Sequence, residues 1–238
     1  MADNSPRFKL PSEPTLVSPG RLREPILQDD HRDRFDRHNA LLLMEGVRPD
    51  AIFIGDSLTA DWPVEYLFAD LFSVVVNRAL GGDAVKYLHY RLDADVFQLH
   101  PRNLFLMAGT NDIAFRFGYD TDDQIYAEML ANYRRCFDQI HPTGIRTYIG
   151  TIPPVRQFLL HDVLFARKLV LLPRLNDGLR ALVAEYGFTL IDYYAALVDN
   201  DKQLMSSFTT DGCHFSARGY YVLNREVRRV LHDNPPAR

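Results

Sequence analysis

Five short apolar runs, each adjoining a helical pattern, restrict the fold of this chain more than any other feature. They read AIFIG (51–55), SVVVN (73–77), NLFLMAG (103–109), RTYIGTI (146–152) and FTLID (188–192). Helical stretches lie near 30–46, 64–71, 83–93, 121–140, 169–186 and 217–232. A strand that is apolar along its whole length must be buried on both faces, and a parallel sheet between two helical layers does this. Parallel neighbours also need crossovers, which the intervening helices supply with the usual right-handed sense. The expectation is a three-layer α/β/α domain around a flavodoxin-like five-stranded parallel sheet.

The 238 residues are enough for one such domain. We assign it to 29–238 and read 1–28 as an extended arm, because Pro6, Pro11, Pro14, Pro19 and Pro25 leave no room for a helix. A formal net charge of -4 gives no electrostatic reason to expect nucleic acid or an anionic membrane as partner. There is no apolar run of the ~18 residues a membrane span needs, and no secretory h-region. Two cysteines, Cys136 and Cys213, stand outside any CxxC pair. A cytoplasmic protein with reduced thiols is expected. His89, His100, His141 and His161 have no paired ligand spacing, so neither a metal nor another cofactor is expected.

In open parallel sheets, ligands bind beyond the C-terminal strand ends. Here those ends carry Gly55-Asp56-Ser57, Asn77-Arg78-Ala79 and Gly109-Thr110-Asn111-Asp112, and TTDGCHFSARGY (209–220) follows the last strand. Alone, Ser57 reads more readily as a helix N-cap than as a nucleophile. A nucleophilic serine needs a base within hydrogen-bond reach and donors for an oxyanion. Asp211 and His214 are three residues apart, a spacing that on a helical turn sets a carboxylate beside imidazole Nδ1 and leaves Nε2 for a serine. Taken singly, that pair is also a helix cap beside a surface histidine. Asn111 offers a neutral amide donor. Gly81 and Gly82 let backbone approach a ligand, and we count both as substrate-binding candidates. GDSLT is not the G-x-S-x-G elbow, which argues against the α/β-hydrolase fold.

Taken together, IFIGDSLTADW, VVNRALGGDA, LFLMAGTND and DGCHFSARGY resemble, in order, the four sequence blocks of the SGNH, or GDSL, hydrolase superfamily. The lead-in RHNALLLMEGVRPD is similar to the platelet-activating-factor acetylhydrolase-like branch. The resemblance implies a serine esterase with Ser57 as nucleophile, His214 as base and Asp211 orienting it. Its oxyanion hole would combine the N–H of Ser57, the Asn111 amide and a backbone N–H at position 79, where Ala79 replaces an expected glycine. An alanine with compatible φ, a register shift that brings in Gly81, or impaired catalysis would each account for that departure; the first is the favoured reading.

The implied substrate is a small-molecule, glycan or lipid O-acyl ester, with a short, acetyl-type acyl chain passing through an acyl-enzyme. Two alternatives stay open: a catalytically impaired binding module on the same fold, and an acyltransferase using the same triad. The stretch PPVRQFLLHDVLFARKLVLLP (153–173) is unusually apolar for a connection. It reads as a helix on the sheet, as a pocket wall built from Phe158, Leu159, Leu160, Leu164 and Phe165, or as the interface of a homodimer. Phe158 and Phe165 are the substrate-binding candidates it supplies. Trp62 reads as core or as the mouth of the site, and Cys213 as a buried small apolar side chain.

Overall fold

The computed structural model describes residues 12–17, 28–115, 121–157 and 162–237. Strands β1 (Ala51–Gly55), β2 (Val75–Asn77), β3 (Asn103–Met107), β4 (Arg146–Gly150) and β5 (Thr189–Ile191) occupy the five apolar runs. All pairings are parallel, in the order β2-β1-β3-β4-β5. This is the flavodoxin-like order, and its switch point lies between β1 and β3. β1 coincides with its apolar run, and the other four strands are shorter than theirs. Ala108-Gly109 and Thr151-Ile152 leave the ladder to begin the loops of the ligand edge.

The described helices are α1 (Gln28–Met44), α2 (Ser57–Ala60), α3 (Val64–Leu67), α4 (Val85–Asp95), α5 (Thr110–Phe115), α6 (Asp122–Ile140), α7 (Asp162–Glu185), α8 (Tyr193–Leu197) and α9 (Ala217–Asp233). The start of α6 follows from local chemistry, since Thr121 and Gln124 form a reciprocal capping box. Strand side chains alternate between two cores. Ile52, Ile54, Leu104, Leu106 and Ile149 face Leu88, Leu92, Phe137 and Leu175 from α4, α6 and α7. Phe53, Phe105 and Tyr148 face Phe68, Leu223 and Val227. Because these strands are in register, the three rings stack across β1, β3 and β4 at 4.4 and 4.6 Å between centroids.

In its described part from residue 162, the segment 153–173 departs from the pocket-wall reading. α7 starts at residue 162 rather than 169 and runs through Pro173. Phe165, Lys168, Leu172, Leu175 and Leu179 are buried at alternating spacings of three and four, so they form the inner stripe of one helix. Phe165, 7% exposed, is part of the sheet-facing core, and Leu164 packs half-buried against it. Phe158, Leu159 and Leu160 lie outside the described residues. Trp62 is core: it packs on Phe53 and Phe68 and donates its indole N–H to Asn224 Oδ1 at 2.8 Å. In the arm, residues 12–17 have no regular structure, and both backbone groups of Val17 bond the Gln98 amide at 3.0 Å. Among the described residues, no helix is long and apolar enough to cross a membrane.

Candidate active site

The exit of β1 is as tight as a peptide chain allows. A Cβ built on Gly55 would stand 1.9 Å from the carbonyl oxygen of Met107, so only glycine lets β1 and β3 run side by side there. The next residue, Asp56, is the N-cap of α2, its Oδ1 accepting the Leu58 N–H at 3.0 Å. With that capping position filled, Ser57 becomes the first helical residue and its hydroxyl is available for another contact. Its Oγ lies 3.0 Å from His214 Nε2. The Ser57 N–H, one of the orphan donors of a helix start, meets no acceptor among the described residues. Tyr220 donates its hydroxyl to Leu58 O at 3.1 Å and so fastens α2 to α9.

Asp211 and His214 meet in a tight turn, not on a helix as their spacing suggests. α9 begins only at Ala217, capped by Ser216. Thr209 and Phe215 form an isolated antiparallel bridge, and Gly212 takes φ +97. Within the turn, Asp211 Oδ1 accepts the N–H groups of Cys213 (2.8 Å) and His214 (2.7 Å). Asp211 Oδ2 lies 2.6 Å from His214 Nδ1. One carboxylate thus shapes the turn and orients the ring it carries. Burial raises the Asp211 pKa, but the bonds from the His214 ring and the two backbone N–H groups outweigh this and hold it below the ordinary carboxylate value. With Nδ1 donating to Asp211, Nε2 is an acceptor facing the Ser57 hydroxyl.

The two remaining strand ends bring in the oxyanion candidates. Asn111 Nδ2 donates one hydrogen to Asp83 O at 2.9 Å, and its second N–H meets no acceptor among the described residues. Ala79 departs from the expectation of a free donor. Its N–H is taken by Asn77 Oδ1 at 2.9 Å in an Asx turn, and the same Asn77 side chain donates to Thr59 O and Trp62 O. Ala79 is absent from the described non-glycine residues with positive φ, so alanine carries no strain there. Gly82 has φ +76, and neither its N–H nor that of Gly81 meets an acceptor among the described residues.

A buried ionic network, not apparent from sequence spacing, lies beneath this loop. Arg91 binds Asp83 Oδ2 through Nε (2.9 Å) and Nη2 (2.5 Å), Asp95 Oδ2 at 2.8 Å and Arg78 O at 2.7 Å. Arg32 from α1 closes the network on Asp95 Oδ1 at 2.7 Å. Only the Arg91–Asp95 pair is legible in sequence, as an i,i+4 spacing on an expected helix. Asp112, next to Asn111, caps α4 from across the site by accepting the N–H groups of Val85 and Lys86. Burial pushes both Asp56 and Asp112 up to about 7 against the lowering effect of those backbone bonds. Lys168 from α7, 3% exposed, donates to Thr110 Oγ1 at 3.1 Å behind Asn111, and burial lowers its pKa. Among the described residues, no group of three or more His, Cys, Asp or Glu side chains is arranged to hold a metal ion.

The model of the GDSL-like lipase/acylhydrolase family matches residues 53–222, a span that takes in all four loops of this edge. Among curated proteins, the N-acylneuraminate cytidylyltransferase of Escherichia coli O18:K1:H7 (strain RS218 / NMEC) is 25% identical over 184 residues. The match covers 76% of this chain and 40% of that protein, so the chain spans less than half the length of the relative it matches. Among solved structures, a GDSL-like lipase from Bacteroides thetaiotaomicron VPI-5482 superposes with a TM-score of 0.70 at 21% identity, covering 85% of this chain and 97% of that one. A catalytic mutant of Axe2, an acetylxylan esterase from Geobacillus stearothermophilus, gives 0.59 at 18% identity, covering 76% and 93%. At these identities the structural likeness establishes the fold.

Proposed function

The chain belongs to the GDSL-like lipase/acylhydrolase family, and from that premise we propose that it is a serine esterase acting on short-chain O-acyl esters through an acyl-enzyme. One observation carries the proposal: the unbroken chain from Asp211 Oδ2 to His214 Nδ1 at 2.6 Å, and from His214 Nε2 to Ser57 Oγ at 3.0 Å. His214 takes the Ser57 proton as Oγ attacks the ester carbonyl, and Asp211 stabilises the imidazolium that forms. His214 then returns the proton to the leaving alcohol. Water, deprotonated by the same nitrogen, attacks the acyl-enzyme, and the Ser57 hydroxyl is regenerated.

The developing oxyanion is received by the Ser57 N–H, the second amide N–H of Asn111 and the Gly82 N–H. Gly82 suits this role better than Ala79, because the Ala79 N–H already has an acceptor and the Gly82 N–H has none among the described residues. Gly82 also adjoins Asp83, whose carbonyl holds the Asn111 amide, so both donors belong to one braced loop. Such donors act most strongly when they are oriented before the charge develops. The acetylxylan esterase on the same fold supports a short acyl chain as the group transferred.

A fluorophosphonate probe tests the proposal. It phosphonylates a serine activated in this way, so wild-type protein labels at Ser57 and Ser57→Ala does not. Absence of labelling on folded wild-type protein would overturn the reading.

A further inference from the structure

A cavity of about 490 Å³ opens beside the exit of β2, between α1, the α2–α3 turn and the start of the oxyanion loop. Arg34 and His38 of α1, Ala60, Asp61, Glu65 and Arg78 are among the residues that line it. Ala60 and Ser57 are both on α2, three residues apart, which puts the cavity wall ~5 Å along the helix from the nucleophile candidate.

The charge arrangement in this wall is uneven. Three arginines are buried among the described residues: Arg32, Arg78 and Arg91. Arg32 and Arg91 both hold carboxylates. Arg78, only 1% exposed, has no ion-pair partner among the described residues. Its guanidinium meets neutral groups: Asn39 Oδ1 from Nε (3.2 Å) and Nη2 (2.6 Å), Asn77 O from Nη1 (3.2 Å), and His38 Nδ1 at 3.2 Å from Nη1. These bonds leave one Nη2 N–H unused. All of its direct hydrogen bonds go to neutral groups, its guanidinium also lies over the Phe35 ring at 5.0 Å, and Asp95 and Glu65 favour the cation only through space; burial outweighs them and draws the Arg78 pKa down to about 10. Arg34 at the mouth also has no ion pair among the described residues, and stacks over the Phe35 ring at 5.2 Å. The acidic side chains, Asp61 and Glu65, are at the exposed rim, and Glu65 accepts the Asn77 N–H.

We propose that this cavity binds the carboxylate of an ester whose alcohol portion is anionic, with Arg78 as the inner counter-ion and Arg34 at the mouth. This selectivity rests on the esterase reading and deepens it. A planar, singly charged carboxylate matches a guanidinium. A phosphate dianion would be repelled more strongly by Asp61 and Glu65 at the rim. Ordering of the anion in the cavity would place the ester bond next to α2, so recognition should act through KM.

The test compares phenyl acetate with 3-carboxyphenyl acetate, which differ by one carboxylate. Wild-type kcat/KM should be at least tenfold higher for the carboxylated ester, through a lower KM. Arg34→Gln should erase most of that ratio with phenyl acetate turnover unchanged. Arg78→Gln, checked for folding by circular dichroism, should do the same to the ratio; if it does not fold, Arg34→Gln decides. A ratio near one in wild type, or a ratio that survives in every folded variant, would overturn the proposal. If neither ester is cleaved, the esterase reading fails separately. Calorimetric binding of 3-hydroxybenzoate then decides: at least tenfold weaker binding in Arg34→Gln supports the anion site, and equal or undetectable binding in wild type and variant overturns it.

Discussion

His214 Nε2 lies 3.0 Å from Ser57 Oγ although 157 residues separate the two in sequence. The contact depends on two local devices. Asp56 fills the capping position and leaves the Ser57 hydroxyl available, while Asp211 both folds the 209–215 turn and orients the ring.

The Asp211 contact predicts a tautomer effect. In Asp211→Asn the side-chain oxygen can still accept the two backbone N–H groups, so the turn should persist. The amide nitrogen would then donate to His214 Nδ1 and leave the proton on Nε2, facing Ser57. The expected fall in kcat on a neutral aryl acetate is about 10⁴-fold, by analogy with the same change in other triads. A fall below tenfold would show that Asp211 does not set the tautomer.

At the oxyanion hole, Asn111, Gly82 and Ala79 should differ in their effects. Asn111→Ala should raise the barrier by ~2.7–4 kcal/mol, as loss of one such donor does elsewhere. Gly82→Ala forces a Cβ into a left-handed conformation at a cost of ~1–2 kcal/mol and should lower kcat as the loop shifts. Ala79→Gly should leave kcat/KM within about threefold of wild type, because Ala79 is unstrained and its N–H is already engaged. A gain of about a hundredfold, ~2.7 kcal/mol in the barrier, would restore position 79 as the donor.

Arg91 should matter more for stability than any charged group on the surface. Arg91→Met leaves Asp83 and Asp95 buried without this counter-ion, and breaking a buried pair from one side typically costs ~3–5 kcal/mol. Urea unfolding measures it. A loss under ~1 kcal/mol would mean that the network contributes little to holding the oxyanion loop.

Asp56 predicts a pH dependence of stability whose sign follows from its raised pKa, about 7 against an ordinary 3.8. Between those values the folded state holds the proton and the unfolded state has released it. Stability therefore falls as pH rises through this window, by at most ~1.4 kcal/mol per pH unit from this one group, and levels off above about 7. Asp56→Asn keeps an acceptor for the Leu58 N–H and removes the titration. Its stability between pH 4 and pH 7 should be flatter than that of wild type, and identical slopes in urea titrations would contradict the assignment.

The strands were legible because burial on both faces leaves a continuous apolar signature, as in AIFIG, and the residues at their exits followed from the topology. The short helices α2, α5 and α8 were not, since four to six residues cannot display an amphipathic period. For the apolar stretch after β4 the sequence left a helix on the sheet, a pocket wall and an interface open, because Pro173 interrupts the pattern; from residue 162 the helix reading holds, and packing on the sheet carries α7 through the proline. Position 79 misled for a different reason. Whether a backbone N–H is free depends on a neighbouring side chain, here Asn77 two residues upstream, and an Asn at that spacing can form an Asx turn but does not have to. The Arg91–Asp83 contact was hidden as well, since the helix start and loop that bring them together appear only in the folded chain.

The central claim, a covalent acyl-enzyme on Ser57, is tested most directly by mass spectrometry of protein quenched during turnover of an aryl acetate. We predict one acetyl group on the peptide carrying Ser57 in wild type, a larger acetylated fraction in a variant slowed in deacylation, and none in Ser57→Ala. Turnover that persists in Ser57→Ala, or acetylation at another residue, would contradict the account.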